Sequence, residues 1–185
     1  MKTLSRTTVD AHASTVWIML LTLASTATTL VLACATPFTA LAALAATQMR
    51  ARDGVLLMLA AWAASQTVGF CVLGYPRDAG TIGWAVALAT AAVAGVTAAR
   101  TAAARSGSNG LVRIAAAYLV ASVAFKAVIL LWSLGLGGVE TALSPAINAR
   151  QFVRNGAILA GLYLLYRGLV MIGIPAARHQ KPRPC

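Results

Sequence analysis

Long apolar runs separated by short polar segments dominate the chain, and they predict membrane-spanning helices. A helix needs about 20 predominantly apolar residues to cross the roughly 30 Å hydrocarbon core of a bilayer. Six runs of this kind cover residues 14–33, 37–49, 54–75, 80–99, 111–136 and 152–174. We therefore predict an all-α fold, a polytopic helix bundle that forms a single integral membrane domain over residues 1–185.

The second run is the short one, and it leaves more than one interpretation open. Only some thirteen residues follow Pro37 before the run ends, which is less than a comfortable span. Residues 14–49 could instead form one long helix kinked at the proline, or one span followed by a re-entrant piece. As a full crossing, a helix this short would thin the local bilayer or tilt its neighbours.

The distribution of basic residues favours six crossings with both termini in the cytoplasm. Cytoplasmic segments of membrane proteins are enriched in Lys and Arg. Six crossings put ten of these basic residues on the cytoplasmic side and three on the outer side. If the first two runs form one crossing, the best orientation puts eight on the cytoplasmic side and five on the outer side. The cytoplasmic set is Lys2, Arg6, Arg50, Arg52, Arg100, Arg105, Arg113, Arg178, Lys181 and Arg183, and the outer set is Arg77, Arg150 and Arg154. We predict a multi-pass protein of the plasma (inner) membrane.

The first run also has some features of a signal peptide. Lys2 and Arg6 precede it, and it ends in the small residues "VLACA", which resembles a cleavage site. Asp10 and His12 interrupt the basic segment before the run. We therefore expect this segment to be retained as the first helix.

Composition and charge agree with a membrane protein and limit the kinds of partner that we expect it to bind. The 185 residues are 59% hydrophobic and 10% charged, whereas soluble domains carry about 25% charged residues. The formal net charge of +11 predicts contact with anionic lipid headgroups at the cytoplasmic face rather than with nucleic acid. The cysteines show no metal-ligand spacing and both histidines lie outside the runs, so we predict no metal and no cofactor. These residues are Cys34, Cys71, Cys185, His12 and His179.

A stripe of small residues marks one face of the fourth predicted helix. It recurs every four residues and consists of Gly83, Ala87, Ala91, Gly95 and Ala99. Small residues allow helix backbones to approach each other closely in membranes. The stripe predicts tight packing inside the bundle, and the alternative is a docking face for another membrane subunit.

Lys126 is the main candidate functional residue, because it lies within an otherwise apolar run. It follows Arg113 by thirteen residues, about 20 Å along a helix, which is past the middle of the bilayer. A charge at that depth costs from about 3 to more than 10 kcal/mol. The four acids, Asp10, Asp53, Asp78 and Glu140, all lie in predicted loops or tails. The amine could be neutral, solvated by Ser122 and backbone carbonyls, paired with an acid of another subunit, or bound to an anionic ligand.

Polar side chains at similar depth on other helices could complete a site around Lys126. Ser122 lies one helical turn earlier, Gln66 lies near the middle of the third predicted helix, and Tyr163 lies near the middle of the sixth. Arg167 lies one turn closer to the cytoplasm. We predict that these five residues bind the ligand. The alternative for Gln66 is a hydrogen bond to a neighbouring helix. The alternative for Arg167 is contact with lipid phosphate. Residues 137–151 form the longest outer loop, which could cover the mouth of the bundle as a lid.

No motif indicates catalysis, and two functions remain. The sequence contains no HExxH, GxSxG or Walker motif, and the runs hold no paired carboxylates for acid–base chemistry. We do not expect an enzyme. The first function is a membrane-embedded binding subunit for uptake or transport of a small anionic molecule, which works with partner subunits. The second is an accessory subunit that packs into a larger inner-membrane complex through its small-residue faces and binds anionic lipid.

Overall fold

Helices account for most of the residues that the computed structural model describes, which are 15–23, 37–107 and 109–172. We label the helical stretch 15–23 as α1. The further helices are α2 (Phe38–Gln48), α3 (Ala51–Thr67), α4 (Ala79–Arg105), α5 (Gly110–Leu136), α6 (Val139–Leu143) and α7 (Pro145–Met171). Residues 68–72 continue α3 as a π-helical turn. The described part contains no strand, so the predicted all-α fold is confirmed there.

Three helices in the described ranges are long and apolar enough to cross a membrane. They are α3 with its π-helical continuation, α4 and α5. The shortest of them, Ala51–Val72, has 22 residues, about 33 Å of helix. They correspond to the third, fourth and fifth predicted runs. The helix α7 is also long, at 27 residues, but Arg150, Arg154 and Arg167 make it more polar. Six crossings and the orientation of the termini therefore stay predictions.

Several sequence predictions lie outside the described residues. They concern the second half of the first run, at 24–33, and the basic residues of the two predicted cytoplasmic tails. The signal-peptide question belongs to the same region. The part of the first run that is described, α1, packs against the core, because Trp17 is buried and its ring lies 4.7 Å from that of Tyr166.

The short second helix is confirmed as short, and it lies at the centre of the bundle. It has 11 residues, about 16 Å, which is roughly half of the hydrocarbon core. Its residues from Ala40 to Ala46 are at most 2% exposed. The helices α3, α4, α5 and α7 all contact it. A helix that is apolar on all sides is stable where protein neighbours or lipid cover it, and neighbouring helices cover α2.

The small-residue stripe packs inside the bundle, as predicted. Ala87, Ala91 and Ala99 on α4 are fully buried, and α4 contacts α5 along its length. A Cβ atom added to Gly95 would lie 3.6 Å from the backbone carbonyl oxygen of Ala121 on α5. The two backbones therefore approach each other as small residues in membrane helices allow.

Polar contacts and glycines determine where the helices begin, turn and end. The Asp78 carboxylate accepts a 2.7 Å hydrogen bond from the Thr81 N–H at the start of α4, and this bond lowers the pKa of Asp78. Arg100 donates to the Met49 carbonyl over 2.6 Å and so connects α4 to the turn between α2 and α3. Gly137 ends α5 with a φ of +87°, a conformation that glycine adopts without steric cost.

Candidate functional site

A cavity of about 760 Å³ lies between α5 and the first half of α7. The helix α7 packs on α2 and α6. It also meets α5 at one polar contact, where the Tyr118 hydroxyl donates to the Phe152 carbonyl. Residues of α2, α4 and α6 complete the lining. Five of the described helices therefore contribute to a single site.

Much of the cavity wall is apolar and partly aromatic. Phe38 and Phe125 stack with their ring centroids 5.8 Å apart, and the Phe152 ring lies 5.0 Å from that of Tyr118. The other large apolar residues of the wall are Leu88, Leu119, Val123, Leu130 and Leu143. Ligand sites typically combine walls of this kind with a few polar groups.

Two cationic side chains, Lys126 and Arg154, line the same cavity. Lys126 is partly buried on α5, ten residues before the end of that helix, which is about 15 Å. No residue of the described lining is acidic. Within the described ranges, no ion pair joins either cation to a carboxylate. The cavity therefore has a positive charge that the described residues around it do not neutralise.

Three amide side chains on α7 line the cavity beside these cations. Asn148 donates its Nδ2 to the Ala142 carbonyl at 3.0 Å, and Asn155 donates its Nδ2 to the Gln151 carbonyl at 2.8 Å. The Oδ1 atoms of both asparagines and the Nε of Arg154 are buried without a hydrogen-bond partner in the described part of the chain. Gln151 also lines the cavity. The two Oδ1 atoms and the Arg154 Nε therefore lie unpaired beside the cavity and expose almost no surface to it.

A second cavity of about 400 Å³ adjoins the first. Lys126, Ala142 and Gln151 line both of them, so the lysine lies between the two spaces. The second cavity is also lined by Trp84 and Gly138. The helix α6 contributes to both walls. The predicted lid segment, 137–151, is therefore next to the site.

The structure brings two of the five predicted ligand-binding residues together. Lys126 and Ser122 both line the larger cavity, and the Ser122 hydroxyl donates to the Tyr118 carbonyl at 2.8 Å. Gln66 does not reach the cavity. Its Nε2 lies 3.3 Å from the Ser65 hydroxyl, on a helix that packs on α2 and α4.

Tyr163 and Arg167 are likewise not among the cavity-lining residues. Tyr163 packs against the buried core, and Arg167 is exposed. The expectation that all five residues meet in one pocket is therefore corrected. It rested on depth along the helix axis, which does not specify the direction in which a side chain points. A ligand contact of Gln66, Tyr163 or Arg167 elsewhere stays a prediction.

Arg154 and the three amides are the site residues that the sequence analysis missed. Arg154 falls inside the sixth predicted run, 152–174, and is counted there only among the outer basic residues, whereas Asn148 and Gln151 precede that run. The helix begins earlier, at Pro145. The spacing of Asn148, Gln151 and Asn155 follows the i, i+3, i+7 pattern of one helical face. That polar face was the signal that could have identified them.

Comparisons with known proteins do not assign this site. No protein-family model matches the chain, no curated protein is similar to it, and no solved structure matches its fold. Among the described residues, no group of three His, Cys, Asp or Glu side chains is placed to hold a metal ion. The cavity itself is therefore the feature that indicates a function.

Proposed function

We propose that the protein is a membrane-embedded binding subunit that captures a small anionic molecule for uptake or transport. The observation that supports this function best is that Lys126 and Arg154 line one cavity with no acid in its described lining. In this proposal the chain crosses a plasma (inner) membrane six times, and both termini are cytoplasmic. It binds rather than transforms its ligand, so it is not an enzyme.

An anion is the occupant that the charges of the cavity favour. Removing a cation from water costs several kcal/mol unless it is paired and hydrogen-bonded. A carboxylate or phosphate beside Lys126 and Arg154 would offset this cost with charge-assisted hydrogen bonds. The apolar walls around Phe38, Phe125 and Phe152 would hold the remainder of the molecule. The ligand is therefore amphipathic, with one anionic end.

Partner subunits enter the proposal because the chain lacks groups for energy coupling. Ion-coupled transporters use intramembrane acids or histidines in the coupling step. None of the six apolar runs contains Asp, Glu or His. Another subunit would supply the energy, and basic residues such as Arg105 and Arg113 would contact anionic lipid headgroups.

Co-purification tests this function directly. The full chain is purified in mild detergent, and the molecules that it retains are extracted and identified by negative-mode mass spectrometry. We expect one small organic anion at near-stoichiometric amount in the wild type. Lys126→Gln and Arg154→Gln should each reduce it by at least about tenfold, since a charge-assisted hydrogen bond contributes about 1.5–3 kcal/mol.

Two further variants show whether the loss is specific to the cavity. Arg150→Gln removes an exposed arginine one turn from Arg154 on α7 and should leave retention unchanged. Lys126→Arg keeps the positive charge and should retain most of the ligand. If no anion is retained, or if Arg150→Gln has the same effect as Arg154→Gln, the proposal is wrong.

The identity of the retained molecule separates capture from an accessory role. An anionic phospholipid that is lost with Lys126 would make the cavity a lipid site and would reject small-molecule capture. An empty protein that is isolated only with other membrane subunits would support the accessory alternative. The burial of Ala87, Ala91 and Ala99 favours capture, because those residues are not free to contact another subunit.

A further inference from the structure

We infer that the ligand of the α5–α7 cavity is a single-chain fatty acid, which enters from the bilayer through a lateral opening between α5 and α7. This inference rests on the proposed function, because it concerns the same cavity. It adds two properties that the cations alone do not specify. The ligand has an acyl chain, and its route of entry is through the hydrocarbon core.

The larger cavity opens on the surface of the bundle. Leu119 and Val123 on α5 line it, and these residues are nevertheless 54% and 70% exposed. Leu143 on α6 and Phe152 on α7 also line it and are also exposed. Residues this exposed do not lie deep in an enclosed space, so these four residues form the rim of an opening.

The rim lies at a depth where lipid chains surround the protein. The helix α5 is long and apolar enough to cross a membrane. Leu119 and Val123 follow its start at Gly110 by about 14 and 20 Å. In a crossing helix of this length, both positions fall within the roughly 30 Å hydrocarbon core. A molecule that uses this opening must therefore be soluble in the bilayer.

The second cavity gives the polar end of the ligand a different environment. It shares Lys126 with the larger cavity. It extends to Gly137, Gly138 and Thr141, which are exposed just beyond the end of α5. Lys126 thus lies between a cavity that opens to lipid and one that reaches the end of the apolar helix. A fatty acid has the same division, with a carboxylate at one end and an apolar chain at the other.

The size and the charge of the larger cavity suit one chain with one carboxylate. Its volume of about 760 Å³ is in the range of pockets that hold a single small ligand. Its wall on α5 extends from Leu119 to Leu130, about 16 Å. Lys126 and Arg154 line it and would form charge-assisted hydrogen bonds with a carboxylate. Each methylene group of the chain that leaves water adds to the affinity.

Photolabelling in vesicles tests this inference. The full chain is reconstituted in phosphatidylcholine vesicles with a trace of myristate that carries a photoreactive diazirine at its ω end. Labelled peptides are mapped by mass spectrometry, and specific labelling is the part that excess unlabelled myristate displaces. We expect it on α5 around Leu119 and Val123, and not on α3, which does not line the cavity.

Three competitors separate the requirement for charge from the requirement for one chain. Tetradecanol has the chain of myristate without its charge, and hexanoate has the carboxylate with a short chain. At equal total concentration, each should displace the probe at least about tenfold less effectively than myristate, since charge-assisted hydrogen bonds and buried methylene groups both contribute to binding. Phosphatidylglycerol, an anionic lipid with two chains, should not displace the probe at the mole fraction at which myristate does.

Variants show whether the labelling depends on the cavity. Lys126→Gln should reduce specific labelling at least about tenfold, whereas Arg150→Gln, at an exposed position outside the lining, should leave it unchanged. Leu119→Trp places a larger side chain at the rim and should reduce labelling severalfold. Leu134→Trp makes the same change at an exposed position of α5 that lines neither cavity, and it should have no effect.

The outcomes for the two proposals are distinct. The fatty-acid inference is wrong if hexanoate, tetradecanol or phosphatidylglycerol competes as well as myristate, or if Lys126→Gln labels like the wild type. In each of these cases the co-purification experiment decides the proposed function by itself. A different small anion that is lost in Lys126→Gln leaves that function standing, and the lack of any such anion rejects both proposals. Should a variant fail to fold, the competition on wild-type protein still decides.

Discussion

Replacing Lys126 by methionine should stabilise the protein without its ligand, although most substitutions inside a bundle destabilise. Methionine has nearly the length and volume of lysine, so the change removes the charge and keeps the packing. In the structure the ammonium group has no acidic partner among the described residues, and the side chain is partly buried. The wild type without ligand therefore carries an electrostatic cost, which a bound anion would remove in the proposed function.

The size of the effect follows from the burial of the side chain. A lysine at the centre of a membrane helix costs about 2.5–3.5 kcal/mol on insertion scales. Lys126 is only partly buried, so we discount this figure for screening by solvent to about 1–2 kcal/mol. For a chain of this size, 1 kcal/mol shifts Tm by about 2–4 °C. Lys126→Met should therefore raise Tm by roughly 2–8 °C.

A thermal scan of tryptophan fluorescence in mild detergent measures this shift. Ligand-free wild type is compared with Lys126→Met, with Lys126→Arg, which should leave Tm nearly unchanged, and with Arg150→Met as an exposed control. The stabilising effect of added ligand should vanish in Lys126→Met. If Lys126→Met instead lowers Tm as much as an ordinary core substitution does, the idea that Lys126 carries an uncompensated charge is refuted.

Three further predictions test the packing around the site. Gly95→Leu should separate α4 from α5 and lower the free energy of unfolding by about 1–3 kcal/mol, as overpacking does. Gly161→Leu is the control and should have little effect on Tm, because no described atom lies within 4 Å of a Cβ added there. Arg100→Gln should lower Tm, since it removes the 2.6 Å hydrogen bond to the Met49 carbonyl. Asp78 stabilises the start of α4 as a carboxylate, and its pKa is lowered by that contact. The contribution of the Asp78 carboxylate to stability should be complete above the ordinary pKa of an aspartate, and it should disappear as the pH falls through the lowered pKa of Asp78. Asp78→Ala should therefore reduce Tm at pH 7 and have less effect near pH 3.

The sequence alone was sufficient to predict the class of the fold. Hydropathy and helix length identified α3, α4 and α5 as candidate spans, because the bilayer imposes a minimum length of apolar helix. The four-residue spacing of small side chains also predicted that α4 packs tightly inside the bundle, since close packing in membranes needs small residues at an interface. These are local properties of the chain, so they can be read without knowing the neighbours.

The candidate site could be predicted only in part. Lys126 was identifiable because a charge in an apolar run is unusual and costly, and Ser122 followed because it lies one turn away on the same helix. Arg154 and Asn155 lie inside the sixth predicted run but were missed, because the direction in which their side chains point depends on how α7 packs on its neighbours. Gln66 was included because it lies at a similar depth, but its helix packs on α2 and α4.

Sequence position determined the depth of each residue along its helix, because the rise is about 1.5 Å per residue. Rotation about the helix axis was decided only by the tertiary structure. In α7, Leu159, Leu162 and Tyr166 are buried, and the helix packs on α2. The same packing places the face with Asn148 and Asn155 on the cavity. The physical reason is that the rotation of a helix depends on the contacts that its side chains make with several neighbouring helices at once. Those contacts exist only in the assembled bundle.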